Sequence, residues 1–96
     1  MSEATIVRNI LKALKKEYPS DAWFKIHTGP FQERGVPDIL GCHKGKFVAL
    51  EVKDPAQSRG LTVYQEYQIA RIKKAKGIAH LIYSVKEALD IIDKMV

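Results

Sequence analysis

Hydrophobic residues recur along this chain at two different periods, and the change of period marks the predicted elements. Val7, Ile10 and Leu14 share one stripe at helical spacing, which predicts a first helix from a cap at Ser2 to about residue 17. Apolar runs with strand character predict strands over residues 22–28, 38–42, 46–53 and 78–83. The second and third strands are close enough in sequence to form a hairpin through residues 43–45.

Two further helices are predicted from paired polar residues at their starts. Thr62 and Gln65 match a capping box that opens a helix ending near Gly77, and Ser84 and Glu87 match a second box that opens the last helix.

A flexible loop is predicted over residues 54–60, which are rich in turn formers. The strand–helix–strand passage from residue 46 to residue 83 needs a crossover, which favours parallel pairing of its two strands. The order αβββαβα therefore predicts an α/β fold in which helices flank a mixed central sheet.

Length, charge and cysteine content limit the class of protein. The 96 residues predict one small domain, spanning positions 1–96, built around a single core. A net charge of +5 favours an acidic partner such as a phosphate backbone, although ordinary basic solubility explains it equally simply. Cys42 is the only cysteine, which predicts a reducing, cytoplasmic location without an internal disulfide. The amphipathic start predicts no signal peptide, and no apolar run predicts a membrane span.

Charged residues at the end of an apolar strand are the strongest chemical signal. Glu51 and Lys53 close an apolar run and, because side chains alternate along a strand, they share one face. The run reads as an interior strand, where a charge is costly unless it is paired or binds a metal. Asp38 starts the preceding strand, directly after Pro37. In isolation, Asp38 is equally explained as a turn former, and Glu51 and Lys53 as a solvated pair on an open sheet face.

Together, two carboxylates and a lysine at one strand end indicate metal-assisted cleavage of a phosphodiester bond. Such hydrolysis needs an in-line nucleophile and stabilisation of negative charge, both of which a hard cation held by carboxylates provides. We therefore expect Asp38 and Glu51 to bind Mg²⁺ or Mn²⁺, and Lys53 to orient or help deprotonate the attacking water.

Two helical residues are candidates for supporting roles. Gln65 shares a stripe with Ile69 and Ile72, so it is expected to face the sheet and the site, although a capping box also explains it. Glu3 heads the apolar stripe of the first helix, where it is either near the site or a first-turn carboxylate favoured by the helix dipole.

The motifs occur in an order that resembles a known nuclease family. They are Arg34-Gly35-Val36-Pro37-Asp38, Glu51-Val52-Lys53, Leu61-Thr62-Val63-Tyr64-Gln65, Gly77 before a strand, and the Ser84-Val85 helix start. This set resembles the PD-(D/E)xK nuclease superfamily and, within it, the virus-type replication-repair nuclease (VRR-Nuc) family. The resemblance implies a small restriction-endonuclease-like fold, Mg²⁺ as cofactor with Mn²⁺ as a substitute, and catalytic roles for Asp38, Glu51, Lys53 and Gln65. It also implies the Val52 backbone carbonyl as a metal ligand and Glu3 as a supporting one.

DNA is the expected partner, and basic residues expected near the site are candidates to contact it: Lys25, Arg34, Lys44 and Arg59. A domain this small has little surface for reading bases, which favours selection of DNA structure over DNA sequence. The resemblance implies an intracellular protein of bacterial or phage type that acts as a homodimer on Holliday junctions or other branched DNA. The alternatives are a nicking or single-strand-directed endonuclease and, in a different class, a non-catalytic nucleic-acid-binding module.

Overall fold

The computed structural model describes residues 2–27, 29–30, 32–57 and 60–95. Seven elements follow one another there: α1 (Glu3–Glu17), β1 (Ala22–Lys25), β2 (Ile39–His43), β3 (Lys46–Val52), α2 (Val63–Lys74), β4 (Ile78–Ile82) and α3 (Val85–Asp93). The sheet order is β1-β2-β3-β4, with a parallel β3–β4 pair beside two antiparallel pairs. The predicted element order, mixed sheet and parallel crossover are confirmed.

The turn of the hairpin between β2 and β3 is one residue shorter than predicted. His43 pairs with Lys46 inside the ladder, so only Lys44 and Gly45 form the turn. Both have positive φ, 50° and 83°, as two-residue hairpins with the twist of a native sheet require.

The first strand is shorter than predicted and ends at Lys25. The Ile26 N–H still donates to the Asp38 carbonyl over 2.8 Å, but β2 begins only at Ile39. The chain before β2 packs against α2 at Gly35, so it is not available to pair with His27. Thr28, the last residue of the predicted strand, lies outside the described residues.

The sheet separates two apolar clusters, whereas the sequence suggested a single core. On one face, residues of α1 and α3 such as Ile10 and Ile92 pack with Leu50 of β3. On the other face, Ile69 of α2 packs with Ala49 and its neighbours. Alternation along β3 sends successive side chains to opposite clusters, so both faces of this strand are covered.

The three helices begin at the predicted caps, with one difference. Ser2, Thr62 and Ser84 each accept a hydrogen bond from the backbone of the third helical residue. The capping box at Thr62 is complete, but Glu87 accepts from the Tyr83 N–H over 2.9 Å and not from Ser84. The second box is therefore only half formed, because the glutamate reaches one residue further back.

The segment after β3 starts as an ordered turn, where the sequence predicted a flexible loop. Asp54 is buried, and its Oδ1 accepts from the Ala56 N–H over 2.9 Å while its carbonyl accepts from the Gln57 N–H over 3.1 Å. This Asp-initiated turn fixes the chain immediately beyond Lys53. Across the described ranges, no helix is long and apolar enough to cross a membrane.

Candidate active site

The site is built around Glu51, which β3 carries into the interior of the protein. β3 lies between β2 and β4, as predicted for an interior strand, and the Glu51 side chain faces the α2 side of the sheet. Only 3% of Glu51 is exposed to solvent. A solvated pair on an open sheet face is therefore not the explanation for this carboxylate.

Asp38 joins Glu51 through the pairing of β2 with β3. The Ile39–Leu50 pair is the last one of the ladder, so one further step sets Asp38 opposite Glu51. The Asp38 Oδ2 accepts a hydrogen bond from the Val52 N–H over 2.8 Å. The half-buried Asp38 carboxylate thus fixes the end of β3 and brings its charge beside that of Glu51.

This arrangement leaves Glu51 with an unusual protonation equilibrium. Burial and, after it, the charge of Asp38 raise the pKa of Glu51 to about 8, and the charge of Lys53 opposes this rise. The Glu51 Oε2 atom is buried and has no hydrogen-bond partner among the described residues. An unpartnered carboxylate oxygen in the interior is costly, and a bound cation would offset that cost.

The side-chain amide of Gln65 makes one hydrogen bond in the helix cap and another to Glu51. Its Oε1 accepts from the Thr62 N–H over 2.9 Å, which completes the capping box. Its Nε2 donates to Glu51 Oε1 over 3.3 Å. The structure thus contains both the capping box and the inward-facing contact of Gln65 with Glu51.

Glu3 lies at the edge of this group. It is exposed at the start of α1, and its pKa is raised by partial burial, then by the charge of Asp38, with Lys53 opposing and Asp54 adding to the rise. Within the described residues, no three His, Cys, Asp or Glu side chains are placed to hold one metal ion. Glu3 thus influences the site electrostatically without completing a cluster of three acidic side chains with Asp38 and Glu51.

The Val52 backbone carbonyl points towards the β2 side of β3, where Asp38 lies. Because Val52 donates its N–H to Asp38, its carbonyl is directed to the β2 side as well. Two steps beyond the Ile39–Leu50 pair, the residue opposite Val52 is Pro37, which has no N–H to donate. The proline before Asp38 therefore leaves the Val52 carbonyl without a ladder donor at this position.

The donor set fits a hard divalent cation. Asp38 and Glu51 offer carboxylate oxygens, one of them unpartnered, and Val52 offers a carbonyl oxygen. Mg²⁺ is typically held by one or two carboxylates while water and substrate phosphates complete its octahedron, so the small number of protein ligands suits it.

The four basic residues expected near the site have different surroundings. Arg34 donates through Nη1 to the Tyr64 hydroxyl over 3.2 Å, and its guanidinium lies 5.1 Å from the Tyr64 ring centroid, beside Gln65. Lys25 ends β1, one pairing step from Asp38. Lys44 lies in the hairpin turn, about 20 Å from Asp38 at the rise of an extended strand, so its expected nearness to the site is wrong. Arg59 lies outside the described residues.

Sequence reasoning missed the contacts that hold the Asp38 loop. The buried Gln68 Nε2 donates to Glu33 Oε2 and to the Arg34 carbonyl, both over 3.2 Å, and Arg71 pairs with Glu33 at 2.9 Å. These contacts join residues more than thirty positions apart, so no local motif reveals them. A polar Gln68 on the inward side of α2 was the only signal available in the sequence.

Comparison with known proteins supports this architecture. The sequence matches no protein-family model and no curated protein. A solved structure described as a VRR_NUC domain superposes with a TM-score of 0.66 at 19% sequence identity, over 93% of this chain and 96% of that one. The chain has the fold of a VRR_NUC domain, the fold that the resemblance of its motifs implied.

Proposed function

We propose that this chain is a Mg²⁺-dependent DNA endonuclease of the VRR-Nuc type, with Mn²⁺ able to replace Mg²⁺. The observation that carries the proposal is the buried Glu51 carboxylate, which has an unpartnered oxygen and lies beside Asp38 and Lys53 at the end of the central strand. A buried carboxylate beside a second one destabilises the metal-free protein, and a role in binding a cation accounts for its presence.

In this proposal, Asp38, Glu51 and the Val52 carbonyl hold the metal ion. When bound, Mg²⁺ stabilises negative charge on the phosphoryl oxygens and makes water a better nucleophile near neutral pH. Gln65 holds Glu51 Oε1 through its amide, which leaves Oε2 for the cation. Glu3 adds negative potential from the start of α1.

Lys53 acts on the attacking water and on the phosphate. It orients the water or, when uncharged, helps to remove its proton, and in its ammonium form it stabilises the oxygens that become more negative. The water oxygen bonds to phosphorus as the opposite P–O bond breaks; the proton that the water loses passes to solvent, directly or through Lys53, and the leaving sugar oxygen takes up a proton from solvent. The Asp54 turn directly after Lys53 fixes the backbone from which this side chain extends.

The proposed substrate is branched DNA, cut by a homodimer in the manner of a Holliday-junction resolvase. The described residues form only three helices and a four-stranded sheet, which leaves little surface for reading base sequence in a groove. A two-fold symmetric pair of sites matches the symmetry of a four-way junction.

A specific observation favours the second candidate, a nicking or single-strand-directed endonuclease. Large apolar side chains at the start of α2, beside the site, are exposed, with exposed fractions of 77% for Val63, 52% for Tyr64 and 62% for Tyr67. The exposed tyrosine rings, with Arg34 over that of Tyr64, resemble the stacking platforms on which proteins bind unpaired bases.

Cleavage of labelled four-way junction, flap, nicked, single-stranded and linear duplex DNAs tests the proposal, with Mg²⁺ or with a chelator. We expect metal-dependent cleavage by the wild type that is lost in Asp38→Ala. Sedimentation of the same protein measures its oligomeric state, and a monomer that ignores junctions but nicks duplex DNA or cuts single-stranded DNA would support the second candidate.

The different class of function, a non-catalytic nucleic-acid-binding module, has a clear signature in the same experiment. Wild type and Asp38→Ala would then bind these DNAs alike, and neither would cut any of them under any metal condition. That result would overturn the proposed enzyme.

A further inference from the structure

A groove lined by positive side chains runs between α1 and β1. Its volume is about 550 Å³, and its cationic lining residues are Arg8, Lys12, Lys15 and Lys25. Ala4 and Leu11 complete the lining, so no acidic side chain takes part. All four cationic residues are exposed.

Among the described residues, none of these four side chains takes part in an ion pair. Ion pairs among the described residues join Asp21 to His43, Glu33 to Arg71 and Lys86 to Asp90, and none includes a residue of the groove. Arg8 and Lys12 are four residues apart on α1, where like charges destabilise a helix by a few tenths of a kcal/mol. The helix thus keeps a small unfavourable repulsion that folding does not require.

The groove begins next to the candidate site. Ala4 follows Glu3, whose carboxylate senses the charges of Asp38 and Lys53. Lys25 pairs with Ile39, the residue after Asp38. From Ala4 to Lys15 the helix extends about 16 Å, and Arg8 and Lys12 follow each other at about 6 Å along it.

We propose that this groove binds the sugar-phosphate backbone of the DNA strand on one side of the cleaved bond, which deepens the proposed function and rests on it. A row of unpaired cations leading away from the site matches the charge of a polyanionic strand and its extended shape. The contacts are to phosphates, so they position the strand without selecting its sequence.

The test is the salt dependence of DNA binding, measured by fluorescence anisotropy with labelled duplex and junction DNA in a Lys53→Ala background that is not expected to cut. Arg8→Gln/Lys12→Gln removes two charges from the groove. Lys73→Gln/Lys74→Gln, at the exposed end of α2, removes the same charge elsewhere and serves as the control.

The affinity of the parent protein for DNA should fall as salt rises. On duplex DNA, we expect the groove variant to make this fall less steep, by about 1.8 in the slope of log K against log salt, because each of two lost phosphate contacts accounts for about 0.9. The control variant should keep the slope of the Lys53→Ala parent protein. Because the groove variant loses a like-charge pair, its thermal stability should equal or exceed that of the parent protein, which separates lost binding from lost folding.

Equal slopes for the groove and control variants would overturn the inference. If Arg8→Gln/Lys12→Gln does not fold, Lys15→Gln/Lys25→Gln is judged by the same criterion. Failure of the proposed function would look different. Wild-type protein would then cut none of the DNAs with Mg²⁺, whatever the salt dependence of its DNA binding.

Discussion

Glu51 is a buried acid whose protonation ties the stability of the metal-free protein to pH. With a pKa of about 8 in the folded protein and an ordinary value of 4.5, folding takes up a proton between these two values. The free energy of unfolding therefore falls as pH rises from about 4.5 to about 8, because the unfolded chain then binds fewer protons than the folded one.

Glu51→Gln should remove this dependence, since an amide of the same shape does not ionise. We expect the variant to be more stable than wild type by about 1–2 kcal/mol at pH 8 in the presence of a chelator. Near pH 4 the two proteins should differ little. Urea denaturation at both pH values measures this difference, and a variant that is less stable than wild type at pH 8 would contradict the assigned environment of Glu51.

Metal binding should show the opposite dependence on pH. A cation competes with the proton on Glu51, so the affinity for Mg²⁺ or Mn²⁺ is expected to rise with pH and to level off above about 8. Calorimetric titration of wild-type protein with Mn²⁺ from pH 6 to pH 9 measures this profile. An affinity that does not change across that range would argue against Glu51 as a ligand.

Gln65 combines two roles that a pair of substitutions can separate. Gln65→Leu loses both the cap hydrogen bond and the one to Glu51, whereas Thr62→Ala loses only the cap. Each should destabilise the protein by about 1 kcal/mol, the usual cost of a lost cap. Only Gln65→Leu should slow cleavage, by about tenfold, because a hydrogen bond to a charged group is lost. Equal cleavage rates in the two variants would limit Gln65 to the cap.

The loop before β2 is positioned by direct contact with the first turn of α2. Gly35 has a φ of 82°, and a Cβ on it would lie 2.3 Å from the Tyr64 carbonyl carbon and oxygen. The hydrogen bonds of Gln68 to Glu33 and Arg34 hold the same loop one turn further along α2. The helix that carries Gln65 thus also places Asp38, so the halves of the site depend on one another.

Gly35→Ala should therefore be far more damaging than a glycine substitution with the same backbone strain but free space. Gly45 provides that control, since its φ is 83° and a Cβ on it would meet nothing within 4 Å. We expect a loss of about 1 kcal/mol for Gly45→Ala from strain alone and about 2–4 kcal/mol for Gly35→Ala. Thermal denaturation of both variants measures the difference, and similar losses would mean that the loop tolerates a side chain against α2.

Across the whole chain, the sequence predicted those features that depend on local pattern. The apolar run before Glu51 and the spacing of Glu51 and Lys53 were enough to place them at the end of an interior strand. The inward side of α2 was readable from Gln65 and Ile69, because helical periodicity fixes which residues share a face.

Features that depend on contacts between distant residues were not predicted. Lys44 is near Asp38 in sequence, but the extended strand β2 lies between them and places them at opposite ends of the sheet. At the Lys44 end, Asp21 and His43 form a buried pair at 2.6 Å that nothing in their sequence spacing suggests. At this far end of the sheet the two side chains satisfy each other, whereas at the opposite end Glu51 keeps a carboxylate oxygen that has no partner among the described residues.

The most direct test of the account compares the two lysines at opposite ends of β3. Lys53 follows the strand at the site, and the exposed Lys46 begins it at the other end. Single-turnover cleavage of a labelled DNA substrate with Mg²⁺ should slow by about 100-fold or more in Lys53→Met, the scale of a lost proton-transfer group. Lys46→Met should cleave at the wild-type rate. Equal rates in the two variants, or no Mg²⁺-dependent cleavage by the wild type, would contradict the assignment of this strand end as a nuclease active site.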